Sequence, residues 1–310
     1  MPLPPRRHGR TMAAISNSTT VDLSRLPAPV IVEQKAFDTI VAEMTAAVQT
    51  LLPSFDATID SDPAVKVLQV AAYREMLIRQ AFQDGGEQLM VAFATEERLD
   101  HLAALMGVAR LVITPANVLT GAGAVYEDDD TYRQRVVLAP EGFSVAGPEL
   151  AYVKHAKDAS ADVLDASATS PAPGEVLVTI LSRTGDGTAP AALLDSVAGI
   201  VRDPAIRPMG DLVTVGSASI IGFAVTATLI TFAGPDINLV LATARAKLDA
   251  YLAFNRKLGR AIATSGIIAA LTVEGVHKVR LDGPLTDIDC DLTEAANCTE
   301  ILITHGGYAS

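Results

Sequence analysis

The sequence predicts an α+β fold: an N-terminal helical region followed by two small mixed α/β (α+β) domains. Three observations carry this. Apolar residues recur every three or four positions through residues 35–107, the period of a helix face. After residue 160, β-branched runs alternate with helix-length segments. Pro- and Gly-bearing breaks at 26–29, 114–126 and 171–174 punctuate the chain. The expected division is an extended leader 1–34, a helical bundle-forming domain 35–113, a central α/β domain 114–217 and a C-terminal α+β domain 218–310.

The leader is rich in Pro, Ser and Thr and ends in Leu26-Pro27-Ala28-Pro29, which is no helix interior. Arg6, Arg7 and Arg10 have no long apolar run behind them, so a secretory signal is not expected, and Met12 is a second candidate start. In the first helix Phe37, Ile40, Val41, Met44, Val48, Leu51 and Leu52 form one apolar face, closed by Pro53. Asp62-Pro63 opens the second, as N-cap and first-turn proline. Val65, Leu68, Ala72 and Met76 give it a near-heptad stripe, and the helix is expected to run through Gly85-Gly86 toward Phe93. Thr95 is the expected cap of a third helix, with Glu96 and Glu97 at its positive end and Gly107 beyond its close. Such helices form an incomplete core, completed by bundling within the chain or with other chains.

Residues 114–126 read as a linker. The acids Glu127-Asp128-Asp129-Asp130 read as a cap on a helix at 131–139, because they lack the alternate spacing and bend glycine of a Ca²⁺ loop. Strands are expected at Val163–Ser167 and Glu175–Ser182, a helix at Pro190–Val201 and a strand at Asp211–Val215. Leu212 to Pro235 holds no charge, but Phe223, Val225, Ala227 and Leu229 alternate with Ala224, Thr226, Thr228 and Ile230. That is strand periodicity, so two strands separated by a turn are expected instead of a membrane span. Helices at 236–254 and 264–271 and a strand at 275–281 follow. The tail after Asp282 reads as irregular, with a last strand at 301–304.

Composition narrows the function. With 24 Lys+Arg against 36 Asp+Glu the net charge is −12, which disfavours nucleic acid and anionic membranes as partners. Hydrophobic residues make up 49% and mean hydropathy is +0.32, more apolar material than a monomer of this size needs. Cys290 and Cys298 are too few for a disulfide scaffold. They read as free thiols from a reducing cytosol, or as a bridge formed after release.

No catalytic, cofactor-binding or metal-ligating set emerges. Gly185-Asp186-Gly187 follows a strand and precedes a helix, but the third glycine of a dinucleotide fingerprint is replaced by Pro190, and an acid stands where a pyrophosphate would lie. Gly142-Phe-Ser144-Val-Ala146 ends in Ala where a nucleophile elbow needs Gly. None of the five His has zinc-type spacing with another His or a Cys, and His155 is expected on a helix. The remaining enzyme alternative is a nucleotide-binding one built on Gly185-Asp186-Gly187; a monomeric binding module is the other. Arg245, Lys247, Arg256, Lys257 and Arg260 cluster on and after one helix, a patch suited to the acidic face of a neighbouring subunit.

Several strings, in order, point to one family: Val21-Asp-Leu-Ser-Arg-Leu-Pro-Ala-Pro29, Ser61-Asp-Pro-Ala-Val-Lys-Val-Leu68, Ala71-Ala-Tyr-Arg-Glu75, Leu99-Asp-His-Leu-Ala-Ala-Leu-Met-Gly-Val108 and Arg110-Leu-Val-Ile-Thr-Pro115. Asp128-Asp-Asp-Thr-Tyr-Arg-Gln-Arg135, Glu141-Gly-Phe-Ser-Val-Ala-Gly-Pro148 and the long run Ser170 to Pro190 continue it. Over roughly 21–305 the chain resembles the baseplate J-like proteins of contractile-tailed phages and R-type pyocins. The resemblance implies a structural wedge subunit in the virion tail baseplate, assembled in the host cytoplasm, with no active site and no cofactor. It implies a homodimer through the α/β domains and N-terminal helices bundled with another wedge protein. It also implies links to the central hub, the sheath initiator and fibre-bearing parts. On this reading the bundle face is Phe37, Ile40, Val41, Met44, Val48, Leu51, Val65, Leu68, Ala72 and Met76, and the self-association patch is Arg245, Arg256, Lys257 and Arg260. Gly-bearing 114–126 is the expected hinge.

Overall fold

The computed structural model describes residues 23, 26–59, 61–117, 121–144, 146–234 and 236–309. The arginines near the N-terminus and Met12 lie outside them. The fold is α+β, with helices first and small open sheets after. It forms two compact units, Asp22–Leu105 and a second that includes Met106–Ser310.

The first unit holds α1 (Phe37–Leu51), α2 (Pro63–Glu87) and α3 (Glu96–Ala104). Asp62 starts α2 as its spacing requires: the carboxylate accepts from Ala64 N at 2.7 Å, with Pro63 in the first turn. The extended stretch before α1 lies along α2. Gln83 Oε1 accepts from Ile31 N, Gln83 Nε2 donates to Pro29 O, and Arg79 donates to Glu33 O. Two expectations are corrected. α2 stops at Glu87, short of Phe93, and Gln88 turns the chain by accepting from Thr95 N and donating to Phe93 O. The Thr95 hydroxyl therefore bonds Gln88 and caps nothing in α3.

The second unit has two layered halves. In the first, β3 (Val163–Thr169), β4 (Glu175–Ser182) and β5 (Leu212–Ser217) form a sheet in that order, β3–β4 antiparallel and β4–β5 parallel. Helices α4 (Asp129–Leu138), α5 (Glu149–Ala159) and α6 (Ala191–Val201) accompany it. Its core joins Tyr152, Ala156, Val178, Ile180, Val197 and Val201. In the second half β6 (Ser219–Thr231) lies between β7 (Val276–Gly283), antiparallel, and β8 (Glu294–Tyr308), parallel. α7 (Ile237–Asn255) and α8 (Thr264–Leu271) pack Val240, Ala244, Leu248, Ile267 and Leu271 onto Val225, Ala227 and Leu229.

Three further corrections concern this unit. Residues 212–231 do hold two strands, but no turn separates them. Buried Ala218 alone stands between β5 and β6, and the chain passes directly from one sheet into the next. The tail after Asp282 is not irregular with a four-residue strand. β8 spans 15 residues and pairs along most of β6. The segment 114–126 is no simple linker: β1 (Val112–Thr114) and β2 (Val125–Tyr126) pair antiparallel, and Glu127 N donates to Leu111 O at 3.0 Å. The excursion returns to its point of departure, so it cannot act as a hinge in series.

Leu181, Ala218, Leu258 and Ala295 form a small buried cluster where the two halves meet, with Leu164 and Ile220 packed against it. Polar contacts reinforce this seam. Asp165 Oδ2 accepts from Leu258 N at 3.1 Å, Ser167 Oγ donates to Leu292 O, and Arg256 donates to Gly185 O at 2.8 Å.

Candidate functional site

The helical unit exposes many large apolar side chains. α1 packs against α2. Ile40, Val65 and Ala72 are buried, while Phe37, Val41, Met44, Val48, Leu68 and Met76 are half-buried. Leu51 is the exposed member of that set. The stripe read from the sequence thus lies mainly on the faces that the two helices turn toward the unit's interior. The opposite side of α2 carries a second apolar row. Val67 is 67% exposed, Ile78 55% and Phe82 66%, with Val70 and Leu77 beside them. These positions recur at helical spacing around the side away from Val65 and Ala72. α2 is thus apolar on two faces, more than packing on α1 alone requires.

The basic patch is partly engaged within its own fold. Arg245 pairs with Asp249 one turn on and donates to Ile301 O. Arg256 reaches across the seam to Gly185 O. Arg260 stacks its guanidinium 4.3 Å from the Phe254 ring centre, and Lys257 lies over the same ring at 5.5 Å.

Each acid of the 127–130 run has a separate task. Asp128 caps α4, accepting from Asp130 N and Thr131 N. Burial works to raise its pKa, but the Thr131 and Asp130 bonds and the Arg183 charge together hold it below 3.8. Asp129 pairs with Arg110, and Asp130 with Arg133. Glu127 turns inward, 4% exposed, to meet Arg135 and to accept from Leu111 N at 2.8 Å. Arg135 continues the chain of charge to Asp158, which also takes Lys154. Burial, the largest influence, pushes the Glu127 carboxyl up against the lowering effects of Leu111, Arg135 and Arg110. No group of three or more His, Cys, Asp or Glu among the described residues is arranged to hold a metal ion.

The Gly185-Asp186-Gly187 turn is bonded internally, and of its two glycines only Gly187 is crowded by side chains, those of Leu181 and Ile220. Thr188 N donates to Asp186 Oδ1 and Ala189 N to Ser217 Oγ, both at 2.9 Å. Ser182 N donates to Gly187 O, closing the turn. Two amides ahead of α6, Thr188 N and Ala189 N, are thus taken by side-chain oxygens of the protein itself. Ser144 Oγ accepts from Ala146 N on an exposed loop. His155 sits on α5, its pKa lowered by burial and then by Lys154. Cys290 and Cys298 are half-buried free thiols, pushed up in pKa chiefly by burial. No helix among the described residues is long and apolar enough to cross a membrane.

Comparison with known proteins supplies what side-chain geometry does not. Three family models match in chain order: the Baseplate J-like N-terminal domain over 60–117, the Baseplate J-like central domain over 144–217 and the Baseplate J-like protein C-terminal domain over 223–304. Baseplate protein J of Escherichia phage P2 is 40% identical over 296 residues, covering 93% of this chain and 98% of that protein. The chain belongs to the baseplate J-like family. A baseplate chain of the anti-feeding prophage, solved by cryo-EM with six-fold symmetry, is 15% identical with a TM-score of 0.39. That match covers 57% of this chain and 43% of the other, so it spans under half of that neighbour's length.

For a baseplate J-like protein, a structural component of the virion tail, the relevant sites are surfaces. The exposed apolar row that sequence reasoning did not single out is Val67–Phe82. Its signal was present, because Val67 and Val70 are three apart, Val70 and Leu77 seven, and Ile78 and Phe82 four. Two apolar rows on one helix cannot be ranked inside from outside by periodicity alone.

Proposed function

We propose that this chain is a structural wedge subunit of a contractile-tail baseplate, acting through binding surfaces and not through catalysis. In this role the outward row of α2 enters a helical bundle with another wedge protein. The α/β unit associates with a second copy around Arg245, Arg256, Lys257 and Arg260. The assembled wedge links the hub to the sheath initiator and fibre-bearing parts. One observation carries the reading: α2 presents Val67, Val70, Leu77, Ile78 and Phe82 to solvent on the side that α1 does not cover. Burying five such side chains is worth roughly 1.5–3 kcal/mol each before the costs of association. Family membership supports a structural role.

The test is incorporation into tails. Ile78→Asp with Phe82→Asp alters exposed positions, so the circular dichroism of the purified chain should match wild type. Tails assembled with the double variant should lack the subunit or fail to complete. Wild-type incorporation of the folded variant would refute the α2 contact. Sedimentation of Lys257→Glu beside wild type tests the second contact, with a shift toward monomer expected. An unchanged dimer would refute that patch, and a wild-type chain that stays monomeric at tens of micromolar would refute self-association.

A further inference from the structure

Among the described residues the chain passes from one compact unit to the other at Leu105–Met106, and the bonding along it changes abruptly within a few residues. Leu105 caps α3 and is 79% exposed. Met106 is exposed as well. Gly107 has φ +69°, a left-handed conformation natural to glycine, and a side chain there would meet nothing within 4 Å.

From Val108 onward the picture reverses. Tyr132, itself buried, donates to Val108 O at 2.9 Å. Arg135 donates to Ala109 O at 3.2 Å. Arg110 donates to Glu127 O, pairs with Asp129 at 2.9 Å and lies 4.5 Å from the Tyr132 ring centre. Leu111 exchanges both backbone groups with Glu127, its N–H going to the carboxylate and its C=O taking the Glu127 amide. Four consecutive residues are thus each fastened to α4 or to the segment leading into it. The hairpin between Leu111 and Glu127 lies beyond this fastening, outside the path from one unit to the other.

We propose that Leu105–Met106–Gly107 is the joint about which the helical unit turns relative to the α/β unit, and that 108–111 belongs to the rigid side, clasped by Tyr132, Arg135 and Glu127. A joint of this kind needs only a few residues that can absorb backbone rotation. The proposal concerns the isolated chain and does not depend on the baseplate reading.

Spin-label distances in the full chain test it, with Cys290→Ser and Cys298→Ser as background. One label pair spans the joint, at Glu97 in α3 and Glu149 in α5. The other lies on its rigid side, at Ala109 and Glu149. The first pair should give a distance distribution at least twice as broad as the second. Inserting Gly-Gly between Met106 and Gly107 should widen the first further and leave the second unchanged. The same insertion after Gly123 should change neither. Equal narrow distributions would show that no joint exists. A broad 109–149 distribution would show that the clasp does not hold, and a response to the Gly123 insertion would put the hairpin in series. Any of these results overturns the proposal.

Discussion

Asp165 is the polar residue most deeply committed to the seam between the two halves of the α/β unit. It is 5% exposed on β3. One carboxylate oxygen accepts from Leu258 N, and the other pairs with Lys157 Nζ at 2.8 Å. Asp165→Ala would leave a buried N–H and a largely buried ammonium without this partner. Removing one member of such a pair costs about 3–5 kcal/mol. Asp165→Asn keeps an acceptor for Leu258 N and loses only the charge opposite Lys157, so about half that cost is expected. With an unfolding slope of about 3 kcal/mol per molar urea, the alanine variant should unfold at a urea concentration lower by roughly 1–1.7 M. Pulse-labelling hydrogen exchange across a urea series reads both halves separately, through peptides from 163–182 and 223–231. Both sets should shift together, because the Leu181–Ala218–Leu258–Ala295 cluster makes the halves cooperative. A shift below about 0.3 M, or one confined to the 163–182 peptides, would refute the reasoning.

Three smaller predictions follow. Ile40→Ala, at a position 1% exposed, should destabilise the helical unit by about 2–5 kcal/mol in thermal melts, whereas Val70→Ala on the outward row should stay within about 0.5 kcal/mol. Asp128→Ala should cost about 1 kcal/mol at neutral pH through loss of the α4 cap. Asp128 titrates below 3.8 when folded, so its stabilising effect is present above that value and lost as pH falls through the folded pKa; the gap between variant and wild-type melting temperatures should close in acid. Gly187→Ala should destabilise by about 1–3 kcal/mol, because φ is +112° and the added carbon would lie 2.7 Å from Leu181 Cδ1; Gly185→Asn, at φ +64° with open space around it, should melt like wild type.

What could be read from the sequence tracks how locally each element is specified. Asp62-Pro63 dictates where α2 begins, and the β-branched run at 175–182 is a strand by its own propensity. Residues 294–300, Glu-Ala-Ala-Asn-Cys-Thr-Glu, have little such propensity. They extend because β6 offers a parallel partner along them, a contact made by chain distant in sequence. The same holds at the seam, where Asp165 meets Leu258 across 93 residues that no local pattern spans. The acid run at 127–130 was legible as a cap, but only at Asp128. The inward turn of Glu127 depends on Arg135 and on the return of the hairpin to Leu111. The helical faces were legible as apolar, and packing alone selects which of the two rows on α2 is covered.

The direct run from β5 into β6 has a mechanical consequence. A pull on a domain boundary usually first extends whatever loop joins the domains, and the load reaches the next fold only after that slack is taken up. Here the covalent chain passes from one sheet to the other through buried Ala218. On either side of that residue it is zipped to a parallel neighbour, β4 or β8. Tension applied to either sheet therefore loads the other at once, with rows of hydrogen bonds sharing the force in shear. A part that must hand on displacement without stretching is well served by such a load path.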